Sequence, residues 1–395
     1  MSKIIAHIDL NMFFVRCEIL KDPSLEGKCV AIGHEGRSGI ISTCSYEARK
    51  FGVHSGMPTF QATKLCPHLI LKSGDYRFYR VMSHAFFHVV ERYTKIIEKA
   101  SIDECYADFT DALKDVKDVI GYFKALQNNL YKETGLMCSI GIAPTKFLAK
   151  MGSDYKKPMG ITIVRKRDVP KLLYPLPVKD MYGIGKRSVP KLNQLGIKTI
   201  GDLMNRLEND KENMQKIFGK FYQYYYDALK GNTDDKVITE RFDPKSIGNS
   251  TTLIHDTDQE DDIKPVIRDL SEEVSRRTKK ENKVGTTISL TFKDVDFVSH
   301  SKSTSFKEPT DNADFIYETA CRLYENNFKG MMIRLVGVTL SNLVHKKGLY
   351  VQMSLFDSGE PDESTQTKVL IDNLNRKAKK KLFKRASEVN EDDEN

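Results

Sequence analysis

Residues 101–109 read SIDECYADF, and residues 4–9 read IIAHID. Asp103 and Glu104 stand side by side just before the run CYADF, and Asp9 closes the first apolar run. Successive side chains on a regular strand point to opposite faces, so adjacent acids share a site only in a turn or at a strand end. Strand-like runs at 96–100 and 105–109 flank SIDE and predict a hairpin around residue 102. Three acids gathered at the ends of neighbouring strands would hold hard divalent cations, because magnesium prefers carboxylate oxygen. That arrangement points to phosphate chemistry. Taken alone, the pair is a solvated turn, and Asp9 a cap for the helix-like FFVRCE that follows.

Working outward, strand patterns recur at 4–8, 29–32, 40–44 and 138–143, with helix patterns between them. Val116, Ile120, Phe123, Leu126 and Leu130 repeat at helical spacing, and Gly135 ends that segment. The alternation predicts an α/β fold, an α+β layer of split βαβ type. Pro158, Pro170, Pro175 and Pro177 mark the passage into a helical region. It holds YGIGKRSVPKLNQLGIKTIGDL (182–203) and the aromatic run KFYQYYYDAL (220–229), whose tyrosines read as helix core. Residues 231–248 are polar and read as a linker. A second strand–helix alternation follows over 247–343, with strands near 286–292 and 334–340. From residue 345 the chain is polar and charged, and it is expected to be disordered.

The 395 residues suggest two to four domains. No apolar run reaches the roughly 18 residues of a membrane span. The start MSKIIAHID reads as a strand, not a leader. Seven scattered cysteines without a CxxC pair argue for a reduced cytoplasmic protein, against a disulfide scaffold and against a zinc site. The net charge of +8 permits a polyanionic partner. Residues 1–164 carry 22 Lys and Arg against 17 Asp and Glu, and residues 165–244 carry 16 against 11. Residues 245–345 are slightly acidic, 14 against 16, so non-specific attraction to a polyanion resides in the first 244 residues.

Three further segments carry chemistry. STCSYEARKFGV (42–53) reads as a strand entering a helix; Tyr46 and Arg49 share one helix face, and Thr43 lies just before it. A hydroxyl, a phenol and a guanidinium together suit a triphosphate; the plainer reading is a capped helix with a surface arginine. Lys157 in SDYKKPMGI (153–161) is a cation on a Lys-Pro turn, or simply solvated. Gly183 and Gly185, followed by a helix pattern, read as a helix–hairpin–helix whose amides suit a DNA phosphate, with Lys186, Arg187 and Lys191 adding charge.

In order along the chain, IDLNMFF (8–14), STCSYEARKFGV, SIDE, GIAPTKFLAK (141–150), the 153–161 turn and YGIGKR (182–187) resemble the Y-family of DNA polymerases, nearest its bacterial polymerase IV branch. The polymerase V branch stays open. The resemblance covers about residues 3–343. It implies a right-hand architecture: a palm at 1–10 and 76–164, small fingers at 11–75, a helical thumb at 165–232, a linker at 233–244, and an α/β little finger at 245–343. It implies that Asp9, Asp103 and Glu104, with the Leu10 carbonyl, hold two Mg2+ ions. Thr43, Tyr46, Arg49 and Lys157 would hold an incoming deoxynucleoside triphosphate, and Phe14 would be the steric gate against a 2′-hydroxyl, with Phe13 in the core. Gly183, Gly185 and Lys186 would contact primer-template DNA. Lys293, Lys302 and Lys307 would line a DNA-facing sheet, with the acids of 256–262 turned away.

Many relatives have Asp where Asn11 stands, a side chain the family does not need as a metal ligand. In the tail, Gln352, Met353, Ser354, Leu355 and Phe356 resemble a bacterial sliding-clamp-binding peptide. The implied protein is a monomeric, cytoplasmic, error-prone translesion polymerase without proofreading, away from membranes. Two rivals are a DNA-binding module with a dead site, disfavoured by the complete acid set, and a two-metal nucleotide cyclase, disfavoured by the helix–hairpin–helix and the clamp-like peptide.

Overall fold

The structure, a computed structural model, describes residues 3–233 and 236–346. The chain divides into two compact units, Met1–Asp243 and Pro244–Asn395.

In the first unit, β1 (Ile5–Leu10) runs into α1 (Phe13–Lys21) through Met12, whose backbone is left-handed. A small module follows: β2 (Val30–Ile32), β3 (Thr43–Cys44), α2 (Tyr46–Lys50), α3 (Thr59–Leu65) and β4 (Ile70–Lys72), with sheet order β3-β2-β4. The strand expected over 40–44 shrinks to Thr43–Cys44, because Ile40 pairs singly with Pro58. Next come α4 (Tyr76–Val90), β5 (Ile97–Lys99), β6 (Glu104–Asp108), α5 (Val119–Thr134), β7 (Cys138–Ala143), α6 (Lys146–Tyr155) and β8 (Ile161–Ile163). The helix expected from Val116 begins at Val119, where the Asp118 side chain caps Gly121, and ends on left-handed Gly135.

The main sheet has the order β5-β6-β1-β7-β8, with β7 and β8 parallel and the other pairs antiparallel. Alternation divides β1 between two layers. Ala6, Ile8 and Leu10 enter the core with Phe86, Phe123 and Leu126 of α4 and α5. Ile5 packs with Phe147 and Leu148 of α6, and His7 and Asp9 fall on the same side. The α6 layer sits hard on the sheet: a Cβ on Gly141 would lie 1.9 Å from the Ala149 carbonyl oxygen.

The rest of this unit is helical: α7 (Val169–Leu172), α8 (Val189–Gln194), α9 (Ile200–Asn209), α10 (Lys211–Phe218) and α11 (Tyr222–Lys230). Thr199 and Asp202 form a capping box at the start of α9. Leu192, Leu203, Leu207, Tyr222 and Tyr225 share one core with Phe147, Leu148 and Met151, so α6 serves both the sheet and the helices.

The second unit comprises β9 (Ser246–Thr257), α12 (Glu260–Lys280), β10 (Lys283–Asp294), β11 (Ser299–Thr310), α13 (Ala313–Asn327), β12 (Ile333–Ser341) and β13 (Val344–His345). Its four-stranded sheet has the order β11-β10-β12-β9. One face buries Ile288, Leu290, Phe292, Val336 and Val338 against the helices. On the other, Ser289 and Thr291 lie opposite Ser303 and Ser301. Residues 246–248, expected in the linker, begin β9.

The lysines expected together on this open face separate. Lys293 pairs with Ser299 on it, whereas Lys302 pairs with buried Leu290 and so belongs to the helix-bearing side. Among the acids of 256–262, Asp256 is bound to Arg334 in a two-point ion pair of 2.8 and 3.0 Å. The clamp-like residues 352–356 lie outside the described residues.

Candidate active site

The pairing of β1 with β6 places Asp9 directly opposite Glu104. Facing residues of an antiparallel pair project to the same side, so both carboxylates reach the α6 layer. Asp103 sits one residue earlier, in the hairpin, where its carbonyl oxygen accepts the Leu10 N–H at 2.9 Å. Glu104 thus begins the strand, and Asp103 ends the turn before it. The Leu10 side chain is buried, next to Asp9 at the end of β1.

Two lysines meet these acids. Lys150 Nζ donates to Asp9 Oδ2 at 3.0 Å and to Glu104 Oε2 at 2.8 Å. Lys157 Nζ donates to Asp9 Oδ1 at 2.9 Å and lies 2.8 Å from Asp154 Oδ1. His7 is fully buried; its Nδ1 is 2.8 Å from Ser153 Oγ, and its Nε2 lies 3.3 Å from Glu104 Oε2. His7, Asp9 and Glu104 each offer a ligand atom within 4.8 Å of the others, a group that leaves out Asp103.

The electrostatics divide the acids. His7 and Lys150 hold the Glu104 carboxyl far below the usual carboxylate range, against the opposing effect of burial. Burial pushes Asp103 up, and the charges of Asp9 and Glu104 push it further, while Ser101 pulls it down through a hydrogen bond. Burial lowers His7 and favours the neutral ring. Burial also pulls on the Lys150 and Lys157 ammonium groups, but Asp9 and Asp154 carry both above the ordinary lysine value. Both lysines are therefore firmly charged at neutral pH.

Asn11 is buried and committed to structure. Its amide donates to Ser139 Oγ at 2.9 Å, and its Oδ1 accepts the Met159 N–H at 2.8 Å, tying the Lys157 turn to β1. Phe13 lies in the core, while half-buried Phe14 stacks on Tyr79 at 4.5 Å and meets Tyr76 edge-on at 5.6 Å. The Tyr79 hydroxyl is anchored on Glu18 at 2.7 Å. Phe14 is thus a supported aromatic wall just past the acid-bearing strand.

Thr43 opens β3, and Ser45, not Thr43, caps α2. Arg49 lies over the Tyr46 ring at 4.8 Å. The Tyr46 hydroxyl is buried without a hydrogen-bond partner, and burial raises its pKa, against the nearby positive charges of Arg49 and Lys157. A buried phenol beside two cations is suited to an anionic acceptor. α2 has only five residues, too short for a strong helix dipole.

In the helical region, Gly183 adopts φ +92°, and its carbonyl accepts the Tyr225 hydroxyl at 2.9 Å. A Cβ at Gly183 would press on that ring at 3.2 Å, whereas Gly185 has open space around it. Lys186 is exposed beside it. The Tyr182 N–H reaches Met151 Sδ at 3.3 Å, joining this turn to α6.

Lys150 and His7 are absent from the sequence-based site. Lys150 had a faint signal, four residues before Asp154 and seven before Lys157 on one helical stripe. His7 had only its place two residues before Asp9, on the same strand face.

An acid pair in register at the centre of an antiparallel-centred palm sheet, a small module presenting cations, and a helical appendage define a right-hand nucleic-acid polymerase. The sequence matches the impB/mucB/samB family over residues 8–154, that family's C-terminal domain over 244–355, and its helix–hairpin–helix motif over 166–197. It is 38% identical to DNA polymerase IV 1 of Bacillus subtilis (strain 168), across 99% of this chain and 94% of that protein. It is also 38% identical to DNA polymerase IV of Streptococcus pyogenes serotype M2, across 87% of this chain and 95% of that one. A Y-family polymerase chimera of Dbh and Dpo4 superposes with a TM-score of 0.76 at 26% identity, covering 87% of this chain and 99% of its own. An insertion ternary complex of Dbh DNA polymerase gives 0.60 at 25%, with the same coverages. The chain belongs to the Y-family of DNA polymerases.

Proposed function

We propose that this protein extends a primer on a DNA template by error-prone, translesion-type synthesis without proofreading. The observation that carries the reading is the pairing of Asp9 with Glu104 beside Asp103 in the hairpin. In the proposed reaction the primer 3′-oxygen forms a bond to the α-phosphorus of a deoxynucleoside triphosphate. The bond from that phosphorus to the pyrophosphate leaves with its electron pair, and the hydroxyl proton passes to solvent.

The donor set fits magnesium: carboxylate oxygens from Asp9, Asp103 and Glu104 and the carbonyl of Leu10 are hard ligands. The fit is supported by two ammonium groups already seated within 3.0 Å of Asp9 and Glu104, marking the site as one that draws positive charge. A bound pair of Mg2+ ions supplies the charge that acidifies the 3′-hydroxyl and stabilises pyrophosphate.

The chain's own residues do the rest. Thr43, Tyr46, Arg49 and Lys157 bind and orient the triphosphate. Phe14, held by Tyr79, blocks a 2′-hydroxyl. Gly183, Gly185 and Lys186 grip duplex backbone, which positions without reading sequence. Gln352, Met353, Ser354, Leu355 and Phe356 engage a bacterial sliding clamp, and the protein works as a cytoplasmic monomer. Among the described residues no helix is long and apolar enough to cross a membrane.

The test is extension of one primer on four templates that differ only in the first unpaired base. Incorporation that follows the complementary base supports the reading. Binding without incorporation would leave only a DNA-binding module.

A further inference from the structure

A second cluster of metal-binding atoms lies away from the acids, in the small module of β2–β4. Cys29 Sγ, Cys66 Sγ and a ring nitrogen of His68 all lie within 4.8 Å of one another. Cys66 Sγ and His68 Nε2 are 3.7 Å apart. Two ligands of a tetrahedral zinc ion, with Zn–S about 2.3 Å and Zn–N about 2.0–2.1 Å, are separated by roughly 3.6 Å.

The backbone builds this convergence. Cys66, Pro67, His68 and Leu69 form a turn closed by the Leu69 N–H on the Cys66 carbonyl at 3.0 Å. Proline favours the second position of such a turn, so Pro67 sets the course from the thiol to the imidazole. The Ile70 N–H then donates to the Cys29 carbonyl at 2.8 Å, which brings the start of β2 beside the turn. The Phe51 ring meets His68 edge-on at 5.0 Å and orients it. Both thiols are buried, while His68 is exposed.

The plain alternative is a pair of core thiols beside a surface histidine, since cysteine packs as a small hydrophobe. That accounts for Cys29 and Cys66 singly. A thiol–imidazole hydrogen bond accounts for Cys66 with His68, but it leaves unexplained why Cys29 Sγ lies within 4.8 Å of both ligand atoms. The absence of a CxxC pair had argued against zinc, but here the ligands are one remote cysteine and a Cys-Pro-His triplet.

We propose that Cys29, Cys66 and His68 form a binding site for a thiophilic divalent cation of the zinc class, with water completing the coordination on the exposed side of His68. Two thiols and a neutral imidazole bind the cation, and two protons pass to solvent. The ion clips the start of β2 to the end of α3 and the entry of β4. The buried apolar cluster there is Cys29, Ala31, Ile41, Cys44, Ala48, Val53, Met57, Ala62 and Cys66, without an aromatic ring. A core of such small side chains is the setting in which a metal staple contributes most. The inference does not depend on the polymerase reading.

Cobalt(II) is the probe, added to the reduced full-length protein in excess Mg2+. Thiolate ligation produces an intense near-ultraviolet charge-transfer band that carboxylate sites do not, so binding at Asp9 and Glu104 does not interfere. The expected result is one equivalent of cobalt with that band, displaced by one equivalent of zinc. The band disappears in Cys66→Ser and persists in Cys321→Ser, whose thiol lies in the other unit. His68→Ala, a change at an exposed position that leaves the fold intact, weakens cobalt binding about tenfold or more. No band in the wild type, or a band unchanged in Cys66→Ser or in His68→Ala, overturns the proposal.

Discussion

Replacing Lys150 by methionine removes an ammonium and keeps most of its apolar stem. In the folded chain that ammonium serves Asp9 at 3.0 Å and Glu104 at 2.8 Å, and its side chain is only 13% exposed. At an effective dielectric of about 20, each contact at such distances is worth roughly 5 kcal/mol before desolvation. Desolvation of the lysine and solvent reaching Glu104 offset most of that gross figure. Stranding carboxylates in a partly buried cluster leaves a net loss of about 2–3 kcal/mol. Lys157 still neutralises Asp9 in the variant, but Glu104 keeps only the weakly basic His7.

A divalent cation replaces the missing charge, so Mg2+ should recover about 1–2 kcal/mol more in Lys150→Met than in the wild type. That corresponds to roughly tenfold tighter Mg2+ binding by the folded variant. Calorimetric unfolding of both proteins with and without Mg2+ reads the difference in the transition of the first unit. An equal or smaller Mg2+ increment in the variant would refute the view that Lys150 and the metal compete for the same carboxylates.

Three further outcomes follow from the same contacts. The Asp103 carboxyl is raised by burial and by its acidic neighbours, so its contribution to stability exists below its unfolded value and is lost as pH rises through the folded one; Asp103→Asn should therefore raise the unfolding midpoint at neutral pH while abolishing primer extension, and a lowered midpoint would show the carboxylate is not under strain. Phe14→Ala removes the ring braced on Tyr79 and should reduce discrimination against ribonucleotides by about tenfold or more in single-nucleotide incorporation, about 1.4 kcal/mol; unchanged sugar selectivity would remove Phe14 from the gate. In the second unit, Lys264 and Lys329 hold Glu260 down to about 2; its contribution, complete above the unfolded value of about 4.3, is lost as pH falls toward 2, and Glu260→Gln should flatten the acid limb of that unit's unfolding, an unaltered limb counting against the ion pairs.

The parts of the fold legible in the sequence were those where period and burial coincide. β1, β6 and β7 carry short apolar runs, and α5 shows helical spacing with an end at Gly135, so these elements could be placed in advance. β11 was not seen because SHSKSTSFKEPT is polar on both faces; an edge strand buries little, and its pairing is supplied by β10. The start of β9 was read as linker for the same reason.

Register was also beyond reach: no local pattern reports that Asp9 faces Glu104, or that Lys302 lies opposite buried Leu290 while Lys293 does not. Lys150 escaped because its helix is amphipathic in the ordinary way, and only the tertiary packing of α6 on the sheet turns its charged end onto the acids. The Cys29, Cys66 and His68 cluster escaped because its two cysteines lie 37 positions apart and only the β2–β4 pairing unites them.

In the proposed reaction Asp9, Asp103 and Glu104 act as one divalent-cation site. Single-turnover incorporation of one complementary deoxynucleotide, titrated with Mg2+, tests it in the wild type, Asp103→Ala and Glu104→Ala. Saturable Mg2+-dependent incorporation by the wild type, with none by either variant while all three bind the same primer-template equally, is the predicted result. Incorporation by either variant at the wild-type rate and with the wild-type Mg2+ dependence would contradict it.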